Sequence, residues 1–318
     1  MGTYILRRLI EALIVVIIVS VLIFVIMRLL PGDPLTLYIN RNQLDNLSPE
    51  QMQALRVQFG LDKSLPVQYG SWMLGMLHGD FGHSISYDLP VGQLILERFP
   101  VTLYLGILAF IVSSILGILA GLICALRRGG MLDAIVTSVA NFGISVPNFW
   151  LGILVIYLFG LALGWLPTQG FTSPFEDFWL STKQLIGPVF CLSVFPIAGN
   201  SRQTRSSILE IVRQDYVRTA WSKGLSERTI VIKHVLKNGL IPVITLIGIQ
   251  VRFLFSGSVL IETVFNIPGM GRLLVSSIFA QDYQVVQSIC VILGILVVLA
   301  NLAVDISYGW FDPRVRYG

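Results

Sequence analysis

Long apolar runs alternate with short polar ones along this chain, and the apolar runs have the length of membrane spans rather than of core helices. The first covers residues 9–30, follows Arg7 and Arg8, and is disturbed only by Glu11. At about 1.5 Å per residue, a run of this length crosses a hydrocarbon layer of about 30 Å. Pro31 and Pro34 end it. Further spans are predicted at 101–126, at 134–163 with an interruption at Pro147-Asn148, at 185–200 with Pro188 and Pro196 inside it, at 240–261 and at 285–308. The fourth is short and is expected to continue as a helix through 201–212. The predicted fold class is therefore an all-α polytopic membrane protein with six transmembrane helices. Its segments are a first span at 1–30, an extracytoplasmic domain at 31–100 and a five-helix core at 101–318 with a cytoplasmic loop at 205–240.

The insert at 31–100 has the composition of a soluble protein. Ser48-Pro49-Glu50 predicts a helix start with proline in its first turn, running to about Phe59 and stopping at Gly60. A second short helix is predicted at 67–77, before the turn-prone Gly79-Asp80-Phe81-Gly82. Composition agrees with the pattern: of 318 residues 54% are hydrophobic and only 13% charged, about half the charge of a soluble domain. The formal net charge of +4 fits basic cytoplasmic loops better than nucleic acid. Cys124, Cys191 and Cys290 all lie in apolar runs without paired spacing, so neither a disulfide framework nor a zinc site is expected.

Orientation follows from the short loops. With the N-terminus in the cytoplasm, fourteen Lys and Arg fall inside (Arg7, Arg8, Arg127, Arg128, eight from Arg202 to Lys237, Arg314 and Arg316) against Lys183 and Arg272 outside. The long 31–100 loop is left out, because long loops cross regardless of charge. Both termini are expected in the cytoplasm.

Candidate chemistry concentrates in the stretch Asp215 to Pro242. Asp215 is expected to cap a short helix over 216–223, and Gly224 to supply the left-handed residue that ends it. Tyr216, Val217, Ala220 and Trp221 form its predicted apolar stripe, flanked by Arg218 and Lys223, and Ser226 is placed to cap a second helix to about Leu236. Two turns of helix do not hold alone in water, so this one must dock on a protein or lie on the lipid surface. The spacing of Ala220, Gly224 and Ile230 also matches a helix-turn-helix reader. Tethering at both ends and the missing third helix exclude that. No phosphate-binding GxxxxGK[ST] loop occurs, and His78 and His83 have poor metal spacing. A metal site is not expected, nor catalysis.

Arg252, beside Gln250 in the fifth span, is costly in mid-membrane and is expected to face a water-filled path or a partner carboxylate. Gln250, Arg252, Pro147 and Asn148 are the candidate path residues; Glu262, Gly269 and Gly271, with Pro268 and Met270, are candidates for an outer gate or receptor dock.

The loop resembles the EAA loop of ABC-importer permeases. Arg218-Thr219-Ala220, three residues and Gly224 stand where that family has its triplet and glycine, with Leu225 following. The chain as a whole is similar to the peptide/nickel branch, the B-type dipeptide and oligopeptide permeases. It carries Pro31-Gly32-Asp33-Pro34, Leu61-Asp62-Lys63, Gln68-Tyr69, Trp72, Gly79-Asp80-Phe81-Gly82, Ser145-Val146-Pro147-Asn148-Phe149-Trp150, Asp215-Tyr216-Val217, Glu262-Thr263-Val264-Phe265, Pro268-Gly269-Met270-Gly271, Asp282-Tyr283 and Asp312-Pro313-Arg314 in order. The far end of the loop motif departs from the family pattern: His234-Val235-Leu236-Lys237 stands there, with Pro242 later. The resemblance implies a type I ABC-importer permease fold, a second homologous permease, one or two ABC ATPases that bind ATP and magnesium, and an extracytoplasmic binding protein. No cofactor is implied on this chain. The short helix would then be the coupling helix. Nickel or metal-chelate cargo is the alternative to peptides. A standalone secondary transporter or channel is the alternative of another class.

Overall fold

The computed structural model describes residues 2–29, 49–58, 62–251 and 258–311. All its regular elements are helical. Four helices among the described residues are long and apolar enough to cross a membrane, and two bent pairs bring the number of candidate spans to six. The chain divides into two compact units, one of residues 1–102 and 268–302, the other of residues 103–267 and 303–318.

In the first unit, α1 (Gly2–Leu29) exposes Leu9, Leu13, Ile17 and Ile18, as a helix whose solvent is hydrocarbon can. Glu11 is paired at 3.0 Å with both Arg7 and Arg8. Short helices α2 (Pro49–Gln58) and α3 (Leu65–Leu77) follow. On α3, Tyr69 donates to or accepts from Ser20 of α1 at 2.8 Å, and Tyr69 and Trp72 stack around Phe24. The predicted stop of the earlier helix at Phe59-Gly60 and the Pro31–Pro34 motif lie outside the described residues.

Helix α4 (Val91–Leu126) begins ten residues before the predicted span and runs straight through Pro100. The span was expected to begin only after Pro100, at residue 101. Apolar packing outweighs the one lost backbone bond: Val91, Leu94 and Ile95, on the turns before Pro100, are buried against Met270, Leu273, Val285 and Ile289.

The last two of those lie on α13 (Tyr283–Phe311), and the first two on a helix the sequence pattern did not predict, α12 (Met270–Phe279). Pro268-Gly269-Met270-Gly271 is thus a helix start rather than a plain turn, and the Met270 amide donates to Thr102 Oγ1 at 2.8 Å. Buried Asp282 accepts from Ser84 Oγ at 2.6 Å and from the Ser86 amide at 2.9 Å. Ser288 Oγ donates to the Phe81 carbonyl. Residues 81–86, around the motif stretch at 79–82, are thus tied to residues 282–288, around that at 282–283.

In the second unit the predicted third span is two helices, α5 (Met131–Ser145) and α6 (Asn148–Val155, continuing with π-helical hydrogen bonding to Ala162), bent by 106° at Val146-Pro147. The residue before a proline avoids the helical region, and Val146 is extended. Helix α7 (Phe178–Val212) is continuous through Pro188 and Pro196 and starts seven residues before the predicted span, because Asp177 caps it by accepting from the Leu180 amide at 2.9 Å. It carries the predicted extension past Asn200.

After α8, described below, the chain forms α9 (Glu227–Gly239), then α10 (Ile241–Gln250) at a 48° bend, and α11 (Val259–Val264). The middle of the predicted fifth span, Arg252 included, lies outside the described residues.

Candidate functional site

Two places collect the candidate residues: a short helix after α7, and a cavity among α4, α6, α7 and α10.

Helix α7 ends at Val212, Arg213 caps it, and Gln214 turns the chain into α8 (Asp215–Ser222). Gln214 thus occupies the capping position assigned to Asp215, and no side chain caps there. Asp215 is instead the first helical residue, its exposed carboxylate 3.5 Å from Arg218, where a negative charge suits the helix N-terminus. The predicted stripe is split. Val217 and Ala220 are buried against Ile208, Ile230 and Val235, while Tyr216 and Trp221 stay 42% and 49% exposed.

A two-turn helix therefore finds its first support within its own chain. Burying a valine side chain contributes about 1.5–3 kcal/mol. Tyr216 accepts from Asn238 at 3.0 Å, a second tie to α9. Arg218, Thr219, Trp221 and Lys223 remain on the surface.

The end of α8 is built on Gly224, at φ +70°. Its amide donates to the Trp221 carbonyl, and that of Leu225 to the Ala220 carbonyl, the paired closure that a left-handed residue permits. Ser226 stands at the N-cap of α9, but its hydroxyl bonds Thr229 Oγ1 instead of a backbone amide. Within α9, residues Ile230–Leu236 form a π-helical stretch. Ile230 and Val235, five apart, share one buried face; at 100° per residue they would diverge.

Sequence reasoning missed the pair that braces this region. Arg205 of α7 holds Asp133 of α5 with both guanidinium arms at 2.8 Å, and the Gly129 amide adds a third bond to the carboxylate at 3.0 Å. The available signal was a lone acid in the first turn of an apolar segment, directly after Arg127-Arg128-Gly129-Gly130.

The cavity, about 340 Å³, brings together Gln250 and Asn148 from the predicted path residues. Ser113 and Ser258 also line it; the rest of its wall is apolar, including Phe110, Leu192, Phe195 and Leu246, with no charged side chain among the described residues that line it. Gln250 Nε2 donates to Asn200 Oδ1 at 3.0 Å. Gln250 Oε1 and buried Ser258 Oγ find no partner among the described residues. Pro147 does not line the cavity; it turns the backbone so that Asn148 can. Glu262 is fully buried, and Gly269 and Gly271 are buried too, so none of the three is open to a receptor in this conformation.

Residues 117–317 match the family described as binding-protein-dependent transport system inner membrane component, and residues 1–106 match the N-terminal region of such components. The chain belongs to this family. It is a non-catalytic, multi-pass inner-membrane permease subunit, and nucleotide binding belongs to ATPase partners in such systems. A putative peptide transport system permease protein of Brucella abortus (strain 2308) is 44% identical over all of both chains. The oligopeptide transport system permease protein AppB of Bacillus subtilis (strain 168) is 39% identical, again over all of both. Among solved structures, the MetNI methionine ABC transporter in inward-facing conformations aligns with a TM-score of 0.55 at 20% identity, covering 67% of this chain and 94% of that one. That likeness supports the permease fold.

Proposed function

We propose that this permease forms half of a translocation path for di- or oligopeptides, with a second homologous permease as the other half. Both termini lie in the cytoplasm, and helix α8 is the coupling helix seated on one of one or two ABC ATPases. An extracytoplasmic binding protein delivers the cargo. The observation that carries the coupling role is the two-faced character of α8. One face is anchored by Val217 and Ala220 to α7 and α9, while the other presents Arg218, Trp221 and Lys223. Movement of a partner gripping the exposed face reaches the spans through the buried one, as rigid-body motion. Peptide cargo rests on the naming of the full-length relatives and on a cavity whose described lining is uncharged and mostly apolar, with a free amide oxygen and hydroxyl, which suits peptide bonds better than a charged metal chelate.

The test is reconstitution of the permease pair with its ATPases and receptor in vesicles. Uptake of a labelled peptide should require ATP and receptor. Uptake without the ATPases would mark a standalone carrier, and uptake of nickel chelates but not peptides would overturn the cargo. In the same assay Gln250→Leu is expected to lower peptide uptake about tenfold, a loss of about 1.4 kcal/mol, because it removes the amide from the cavity wall. Uptake at the level of the unsubstituted protein would take Gln250 out of the path.

A further inference from the structure

The second unit has a cleft larger than the cavity described above. It opens between α5 and the end of α7, encloses about 930 Å³, and has Arg128, Arg202 and Arg213 on its walls. None of these three arginines has an ion-pair partner among the described residues, and all three are exposed. Two carboxylates also line the cleft. Asp133 is taken up by Arg205, and Glu210 offsets one positive charge, so a surplus of two arginines remains. The backbone amides of the adjoining turn offer nothing to a ligand, since Gly129 donates to Asp133 and Gly130 to the Arg127 carbonyl. Recognition here is by guanidinium groups, which match phosphate oxygens with paired donors.

Beside the charged walls, α5 carries an exposed apolar stripe of Met131, Ile135, Val139 and Phe142. These positions recur at helical spacing next to the cleft-lining Ala134 and Ser138. A phosphate-sized group held by the arginines would have hydrocarbon surface running away from it along the same helix. That combination of basic pocket and adjoining apolar track fits a lipid better than a soluble anion or a polar protein surface.

We infer that this cleft binds the headgroup phosphate of an anionic phospholipid of the cytoplasmic leaflet, with an acyl chain along the α5 stripe. The leaflet rests on the cytoplasmic placement of the termini proposed above; the lipid chemistry does not. Because Arg213 and Gln214 lead directly into α8, an occupant of the cleft sits at the base of the helix assigned to coupling.

The experiment is native mass spectrometry of the purified whole transporter, offered phosphatidylglycerol or phosphatidylcholine at equal dose. The protein should prefer phosphatidylglycerol. The pair Arg202→Gln with Arg213→Gln should cut that preference by about thirtyfold, while Arg127→Gln, outside the cleft, should leave it unchanged. An unchanged preference in the paired variant overturns the proposal. So does release of the lipid by millimolar inorganic phosphate, which would mark a free-phosphate site. Loss of the ATPases from the paired variant with lipid retained overturns it too, and assigns the cleft to a protein partner. Placement is read separately, by an impermeant maleimide on Ser206→Cys in a chain lacking its native cysteines. Labelling from outside sinks the cytoplasmic leaflet while leaving the lipid measurement standing.

Discussion

Gly224→Val is expected to reduce peptide uptake at least tenfold while leaving membrane insertion and assembly with the ATPases intact, so that ATP is hydrolysed without transport. The backbone at Gly224 has φ +70°, and a side chain added there would meet nothing within 4 Å. Crowding is therefore not the cause of the effect; the conformation is. An L-residue in the left-handed region costs about 1–2 kcal/mol, and a branched β-carbon makes it worse.

Helix α8 has eight residues and only Val217 and Ala220 buried, so it has little reserve against that cost. Relief comes by opening the closure at Trp221 and Ala220 and re-aiming Leu225 and Ser226, which loosens the link from α8 to α9. The control is Gly224→Asn, since asparagine tolerates this region better than other side chains; it should retain most of the uptake. Peptide uptake and receptor-stimulated ATPase activity measured on the same vesicles decide the matter. Valine variants with the coupling ratio of the unsubstituted protein would remove Gly224 from the mechanism.

What the sequence made legible, and what it did not, divides along physical lines. Six apolar segments, the continuation of α7 past Asn200 and the glycine that ends α8 follow from local pattern, where length, hydropathy and one special backbone angle suffice. The misses are places where a tertiary contact overrides a local rule. The second span was expected to begin at 101, but Val91, Leu94 and Ile95 find partners on α12 and α13 that extend the helix back through Pro100. Helix α12 itself was hidden because its start, Pro268-Gly269-Met270-Gly271, has the composition of a turn; Thr102, far away in sequence, accepts the hydrogen bond of its first amide.

In the candidate sites, Gln250 and Asn148 do meet in one cavity. The N-cap position fell to Gln214, whose side chain does not cap, instead of Asp215, a shift of one residue that sequence alone rarely resolves. Tyr216 and Trp221 were grouped with the buried stripe because they are apolar, yet a helix of two turns has room for only one inward face. The Asp133–Arg205 pair spans 72 positions, and no local signal joins its members.

A second large effect is expected at Gly121. Gly117 and Gly121, one turn apart on α4, form the small-residue spacing that lets membrane helices approach closely, and here they receive α7. A β-carbon on Gly121 would lie 2.5 Å from Thr204 Cβ and 3.1 Å from the Arg205 amide nitrogen, with the Ser201 carbonyl closer still; one on Gly117 would lie 2.5 Å from Asn200 Cβ. Those neighbours are backbone or first side-chain atoms, which cannot swing aside. Even alanine must push α7 away from α4.

Overpacking of this kind costs about 1–3 kcal/mol, occasionally more, and the displaced segment carries two functional ties. Asn200, which orients Gln250, donates to the Ser113 carbonyl on α4, and Arg205 holds Asp133. Gly121→Ala should therefore lower the melting temperature of the detergent-solubilised protein, and Gly121→Leu should leave little folded protein to purify. Gly248→Ala is the matched contrast. It too is a helical glycine, but its β-carbon would meet only Val304 Cγ1 at 3.9 Å, an ordinary contact. There the smaller backbone entropy of alanine should dominate and raise the melting temperature slightly. Opposite signs at the two positions, read by thermal unfolding of the same preparation, are what close helix approach predicts; equal shifts would mean that α4 and α7 do not pack through Gly121.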